Sequence, residues 1–289
     1  MRVLVTGGLG RIGKVVVERL AAEHEVDILD VAEGPEGKRC FVGNVSDPAA
    51  VAEAMAGQDA VVHLAALYRY YPERHAEFVE VNYKGTFNVL EAAVKQGVGK
   101  VVYASSICAY GFLNYHEKLV PSYLPVDEGH PKTPSDLYGL TKLQSEQLCQ
   151  AYAPRYGLRA VSLRLATVWF PDQLENTRRF YSWLAAPEQG ANYLWNYVDV
   201  RDVAQAVALG LSYEGGPHEA FNVGADDAVA DVPTRDLVRR FYSEVAELRN
   251  TDGFLTRERP PLYAIARAKE VLGYRPQHGW RDYARFYEA

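Results

Sequence analysis

Cysteine is scarce in this 289-residue chain. The three present, Cys40, Cys108 and Cys149, are widely spaced and fall in no metal or redox motif. An odd, scattered set builds neither a disulfide framework nor a thiolate metal site, and it suits reduced thiols in a cytoplasm. The seven histidines show no metal-ligand spacing either. No apolar run comes near the ~20 residues that a membrane helix needs. The first apolar strand opens at Arg2, so no signal peptide is expected ahead of it. Basic runs interleaved with aromatics are missing, and the net charge of −6 disfavours nucleic acid as a partner. Repeats and low-complexity stretches are missing too. The expectation is a cytoplasmic protein with no metal, no nucleic-acid partner and no membrane partner. Its apolar content of 48% is enough for one large α/β domain or two modest lobes.

What is present declares itself in the opening segment, MRVLVTGGLGRIGKVVVERLAAEHEVDILDV. Val3 to Val5 form a short apolar run of the kind a buried parallel strand needs. A turn with Gly7, Gly8, Gly10 and Gly13 follows, then a helical pattern with Ile12, Val15, Val16 and Leu20 on one face. A second apolar strand, Val26 to Leu29, ends at Asp30. Glycines allow a tight turn and close approach to a pyrophosphate, and the helix N-terminus offers free N–H groups and a positive dipole end. An acid about twenty residues further on suits the adenosine ribose hydroxyls. Asp30 would also repel a 2′-phosphate, which favours NAD over NADP, although Lys38 and Arg39 lie nearby in sequence.

Strand and helix patterns then alternate, as in a parallel sheet with helices on both faces. A third strand is expected near Cys40 to Gly43, followed by a helix capped by Ser46 or Asp47. The segment DAVVHLAA reads as a fourth strand, a long helix spans about residues 73–96, and KVVYASS reads as a fifth strand. The long loop from Gly111 to Pro134 suggests a functional loop or lid. A helix around Tyr138 runs to about Tyr156, and RAVSLRLATV is the sixth strand. The fold class expected is α/β: a Rossmann-type, doubly wound parallel sheet over residues 1–165, and a smaller C-terminal substrate-binding lobe over residues 166–289 with segments returning to the sheet.

Tyr138 and Lys142 stand four residues apart in SDLYGLTK, so they share a helix face. An ammonium beside a phenol favours the phenolate and is expected to lower the tyrosine pKa below its usual value of about 10. Such a tyrosine can exchange a proton with a substrate hydroxyl or carbonyl. The fifth strand ends in Ser105 and Ser106, where one hydroxyl can stabilise an oxyanion beside the phenol.

TGGLGRIG, DAVVHLAA, VNYKGTFNVLEAA, VVYASSICAYG, YGLTK, LRLATV, YVDVRDVAQAV and FNVGA follow one another in an order and spacing that resembles the extended short-chain dehydrogenases/reductases, and more narrowly the NAD-dependent epimerase/dehydratase family. The resemblance implies NAD as cofactor. It implies that Gly7, Gly10, Arg11, Ile12 and Gly13 meet the pyrophosphate, Asp30 the ribose, and Asn44 and Val45 the adenine, with Asn44 standing where the family usually has Asp. It implies that Leu64, Ala65, Ala66 and Asn82 line the cofactor crevice. Ser106, Tyr138 and Lys142 match the catalytic residues, and Lys142 also matches the ligand of the nicotinamide ribose. A homodimer paired through the helix near Asn82 and the Tyr138 helix is implied by analogy alone.

Departures from the family pattern narrow the chemistry. Family members that eliminate water carry an Asp-Glu pair after the catalytic Ser/Thr, where this chain has Ile107 and Cys108. Cys108 is expected near the pocket as a small filler rather than a nucleophile. Nucleotide-sugar enzymes carry a long insert after the sixth strand and an Arg that meets the diphosphate. Here only about thirty residues separate Arg164 from Tyr197, Trp195 stands at the Arg position, and Thr167 replaces a frequent Asn. Arg178 and Arg179 together with SSICAYGF resemble the uronate dehydrogenases of the same superfamily, so either arginine can be placed on a substrate carboxylate. Tyr68, Arg69, Tyr70 and Tyr71 are further candidates for the pocket wall. The expected substrate residues are thus Tyr68, Ser106, Cys108, Arg178, Arg179 and Trp195. The expected function is NAD-dependent hydride transfer at a hydroxyl-bearing carbon of a small carbohydrate or sugar acid. A nucleotide-sugar 4-epimerase and a non-catalytic dinucleotide sensor are the alternatives.

Overall fold

The computed structural model describes residues 1–68, 74–112 and 119–282. Arg69, Tyr70 and Tyr71 lie outside the described residues. Seven parallel strands form one sheet in the order β3-β2-β1-β4-β5-β6-β9. They are β1 Arg2–Thr6, β2 Glu25–Asp30, β3 Cys40–Val42, β4 Ala60–His63, β5 Lys100–Ser106, β6 Arg159–Leu165 and β9 His218–Val223. Strands β1, β4, β5 and β6 are buried almost throughout, which explains their continuous apolar runs. One core, with Val3, Val5, Ile28, Val102 and Leu163, packs against α1 Arg11–Ala21 and α7 Val200–Ser212. The other, with Leu4, Val61, Val101 and Cys149, packs against α2 Pro48–Met55, α4 Gly85–Gln96 and α5 Leu137–Tyr156. The strand order reverses between β1 and β4, and such a switch point opens a crevice at the carboxyl ends of the strands.

Local chemistry sets the element ends. Asp47, not Ser46, caps α2, accepting the Ala49 N–H at 2.9 Å with Pro48 at the first helical position. Asp136 caps α5 through the Gly139 N–H at 2.8 Å. The long helix expected from residue 73 is three pieces instead: α3 His75–Phe78, a π-helical turn Val79–Lys84, and α4. The widened turn carries Asn82, and such turns favour functional positions.

The sixth strand is shorter than expected. After Leu165 the chain leaves the main sheet, and β7 Val168–Trp169 pairs instead with β8 Val198–Asp199. A third, aromatic core with Trp169, Phe180, Trp183, Trp195 and Trp280 lies beyond the strand ends. It also takes in Ile107, Tyr110, Phe112, Leu124 and Val126 from the first half of the chain. Trp195 is wholly buried in it, donates Nε1–H to the Pro187 carbonyl at 2.8 Å, and packs on Phe241 and Tyr242. In this structure Trp195 has no exposed surface and serves as a core residue of the aromatic cluster.

Candidate active site

The glycine turn is built for something to lie against its backbone. Gly7 adopts φ +71°, and a Cβ there would stand 2.8 Å from the Ala65 nitrogen. A Cβ on Gly13 would stand 2.2 Å from the Gly7 carbonyl oxygen, so only glycine lets α1 seat on the turn. Gly10 precedes α1 with no side-chain cap and no acid follows in the first turn. The first N–H groups of α1 are therefore left for a ligand. Asp30 ends β2 beside this turn, and its Oδ2 accepts the Leu9 N–H at 2.9 Å. These features fit a dinucleotide pyrophosphate and ribose. Arg39 turns away, to Asp27 at 3.6 Å.

The other expected cofactor residues differ in exposure and partners. Ile12 is half-buried behind the turn, and Arg11 is exposed with its guanidinium 3.9 Å from the Phe170 ring centroid. Asn44 is exposed and its Oδ1 accepts the Ser46 N–H, while Val45 is buried against Gly85. Leu64, Ala65 and Ala66 continue from β4 as half-buried backbone. Asn82 is buried and grips Leu67 with both side-chain ends, accepting its N–H at 2.8 Å and donating to its carbonyl at 3.0 Å. It thus holds the crevice wall in shape.

Below the wall lies a hydrogen-bonded row that carried no functional signal in the sequence. Thr6 Oγ1 lies 2.7 Å from His63 Nδ1, and His63 Nε2 lies 3.1 Å from Thr86 Oγ1. Thr86 donates to the Asn82 carbonyl, and the Ala65 N–H donates to Thr6 Oγ1. Every donor finds an acceptor if His63 is neutral and protonated at Nε2. Burial, with the nearby Lys142 charge, pushes the imidazole pKa down to about 3, which keeps it neutral.

Ser106, Tyr138 and Lys142 meet at the end of β5. Ser106 Oγ accepts the Cys108 N–H at 3.1 Å, leaving its own proton to donate, and its hydroxyl acts on the Tyr138 phenol, lowering its pKa. Lys142 Nζ donates to the Ala104 carbonyl at 2.7 Å and lies 5.7 Å from the Tyr138 ring centroid. The expected lowering of the phenol pKa is not found. Burial raises it, Cys108 and Asp136 add to the rise, and only Ser106 opposes them. Burial likewise pushes the Lys142 ammonium down to about 8. The Cys108 thiol is pushed up to about 12 by burial, so it is protonated and no nucleophile.

The remaining substrate candidates are exposed. Tyr68 is 58% exposed. Arg178 and Arg179 are exposed on α6 Leu174–Ala185, with the Arg179 guanidinium 4.6 Å from the Tyr193 ring centroid. Behind β5, Ser105 donates to Glu146, whose carboxylate takes both arms of the buried Arg164 at 2.8 and 3.0 Å. That pair borders a separate cleft of about 1010 Å³ beside β9, away from the glycine turn. Among the described residues no group of three His, Cys, Asp or Glu could hold a metal, and no helix is long and apolar enough to cross a membrane.

Comparison with known proteins agrees with this geometry. The L-arabinose 1-dehydrogenase (NAD(P)(+)) of Haloferax volcanii is 35% identical over 179 residues, 60% of this chain and 69% of its own. The UDP-glucose 4-epimerase of Corynebacterium glutamicum is 29% identical over 319 aligned positions, covering 96% of this chain and 92% of its own. A short-chain dehydrogenase/reductase superfamily protein from Agrobacterium tumefaciens, solved with bound NAD, shares the fold with a TM-score of 0.75 at 23% identity, over 99% of this chain and 95% of that one. Residues 3–224 match the NAD dependent epimerase/dehydratase family. With that match over most of its length, the chain belongs to that family and is an NAD-dependent enzyme of the extended short-chain dehydrogenase/reductase type.

Proposed function

We propose that the protein is a dehydrogenase of a small free carbohydrate or sugar acid, oxidising a hydroxyl-bearing carbon. The observation that supports this is the neighbourhood of Ser106, Tyr138 and Lys142 at the end of β5, in a chain whose glycine turn fits a pyrophosphate. Gly7, Gly10, Arg11, Ile12 and Gly13 hold the pyrophosphate, Asp30 the ribose, and Asn44 and Val45 the adenine. Leu64, Ala65, Ala66 and Asn82 form the wall, and Tyr138 and Lys142 take the nicotinamide ribose. Ser106 donates to the substrate oxygen. The Tyr138 phenol oxygen is the atom that returns a proton to a carbonyl or takes one from a hydroxyl. With its pKa raised it begins protonated, and to act as a base it needs a further positive charge beside it. Bound NAD supplies the hydride acceptor and, in its oxidised form, that charge. Ile107 and Cys108 give no carboxyl pair for water elimination.

A small substrate is favoured by the short span between Arg164 and Tyr197 and by Trp195, which gives the lobe a core residue where a diphosphate would call for a cation. Likeness to an L-arabinose dehydrogenase supports the same reading. The lobe after residue 165 covers the substrate, with Tyr68 and Cys108 at its margins and Arg178 or Arg179 on a carboxylate when the substrate is an acid. The test is a panel of free aldoses, uronates and UDP-hexoses, following NADH absorbance and product stereochemistry together. Turnover of a free sugar that Tyr138→Phe abolishes, with NAD binding intact, is the expected result. Epimerisation of a UDP-hexose without net NADH would replace this reading with the 4-epimerase one, which the near full-length likeness to UDP-glucose 4-epimerase favours. NAD binding with no turnover anywhere on the panel would leave the sensor.

The enzyme is further proposed to be a cytoplasmic homodimer. The three unpaired thiols suit a reducing compartment. Phe87 and Tyr156, each at least 40% exposed, flank Tyr152 at 6.3 and 5.2 Å between ring centroids on two packed helices, an exposed aromatic patch for a second copy. Sedimentation at micromolar concentration should give a dimer that Phe87→Glu converts to monomer; a wild-type monomer would refute it.

A further inference from the structure

A small enclosed cavity lies at the carboxyl ends of β5, β6 and β9. Ile107, Ala166, Asn196, Asn222, Gly224 and Tyr263 help to line it, and its volume of about 10 Å³ has room for about one water-sized group. Ile107 follows Ser106, and Ala166 follows the last residue of β6, so the cavity adjoins the reacting end of the crevice. Its polar side chains are satisfied, with one exception. Asn222 accepts from the Tyr110 hydroxyl at 2.8 Å and donates to the carbonyls of Val126 and Ala264. Asn196 accepts from the Thr167 N–H and donates to the Tyr193 carbonyl. Tyr197 donates to Asp227 at 2.7 Å. The Tyr263 hydroxyl is buried and has no hydrogen-bond partner among the described residues.

Nothing about Tyr263 looks mobile enough to make that accidental. Its backbone is pinned on both sides, Val126 N–H to the Leu262 carbonyl at 2.8 Å and Ala264 N–H to the Val126 carbonyl at 2.9 Å. Its ring packs against Tyr110 at 5.8 Å and Phe112 at 6.4 Å between centroids. Only 2% of the residue is exposed. Leaving a buried hydroxyl unpaired costs about 1–3 kcal/mol, and a phenylalanine would fill the same space without that cost. A fixed, buried donor with no partner among the described residues, lining a cavity with the neighbour of Ser106, is what a substrate oxygen needs.

We infer that Tyr263 is a substrate-recognition residue whose hydroxyl bonds a hydroxyl or carboxylate oxygen of the carbohydrate, away from the reacting carbon. This rests on the carbohydrate reading above. The experiment compares Tyr263→Phe with wild type by thermal melting, by NAD titration, and by steady-state kinetics on whichever of the free aldoses, uronates or UDP-hexoses wild type turns over. The expected result is an unchanged or higher Tm, unchanged NAD affinity, and a KM about tenfold higher with kcat within about threefold. An unchanged KM would mean that the hydroxyl serves at most a buried water. A Tm several degrees lower would mean a structural partner. Either would overturn the inference. Failure of the free-carbohydrate reading shows separately, in which panel member wild type accepts.

Discussion

Asn82 holds Leu67 by both of its backbone polar groups, with Oδ1 on its N–H and Nδ2 on its carbonyl. The asparagine sits in the π-helical turn and the leucine follows the β4 end, so this pair ties the long helix to the crevice wall. Thr141, one residue before Lys142, takes a third contact from Nδ2 at 3.3 Å. Asn82→Ala removes all three. At about 1 kcal/mol for each buried bond, the variant should melt several degrees lower. NAD affinity should fall at least tenfold, measured by fluorescence titration below the melting range. Unchanged affinity would show that the wall keeps its shape without this grip.

His63 gives stability a pH dependence whose sign follows from its environment. The folded imidazole titrates near 3 because of burial, whereas an unfolded histidine titrates near 6.5. Between those values the unfolded state binds the extra proton, so stability rises with pH across this window and is lost as pH falls through it. His63→Gln keeps polar atoms in the Thr6–Thr86 row and removes the titration. It should be less stable than wild type at pH 7, and the gap should narrow towards pH 4. Parallel melting curves for the two proteins across that range would show that another group carries the acid sensitivity.

How far the chain could be read in advance depended on whether the signal was local. The glycine turn, Asp30 and the strand runs each announce themselves within a few residues, and the sheet follows from them. Tyr138 and Lys142 were legible through helical spacing, but the raised phenol was not. Its pKa depends on burial under chain that packs from elsewhere, and on the Ala104 carbonyl that engages Lys142. The burial of Trp195 was not legible either, because it depends on Phe241, Tyr242 and the Pro187 carbonyl packing around it. Tyr263 had no local pattern at all: its place near Ile107 comes from a strand-like contact with Val126, far away in sequence. The π-helical turn was invisible for a similar reason, since apolar periodicity does not distinguish it from the helix it interrupts.

Lys142 couples activity and stability in opposite directions. Burial lowers its pKa to about 8, below the usual value of about 10.4, so the unfolded state binds more protons between the two. Stability contributed through this group therefore rises with pH across that interval, and at neutral pH the buried charge is a cost to the fold. Lys142→Met should abolish turnover while melting no lower than wild type at pH 7. For wild type, kcat/KM reports the free enzyme and should decline on the alkaline side with a midpoint near 8 as the ammonium is lost. A profile flat to pH 10 would show that the charged form is not required.

The buried Glu146–Arg164 pair is costly to break from one side. Both side chains are 5% exposed, and the guanidinium also donates to the Tyr110 hydroxyl at 2.8 Å and the Glu128 carbonyl at 3.3 Å. Glu146→Gln leaves Arg164 charged in a site that solvent hardly reaches, and breaking such a pair costs about 3–5 kcal/mol. It also weakens the hold on Ser105, next to Ser106. Urea unfolding should show the full loss for Glu146→Gln. The double replacement Glu146→Leu with Arg164→Met should lose less, because no unpaired charge remains. Since neither residue is assigned a contact with substrate or cofactor, both variants should keep measurable turnover at temperatures where they stay folded. Equal losses in the single and double variants would mean that the desolvated charge is not what makes this contact expensive to break.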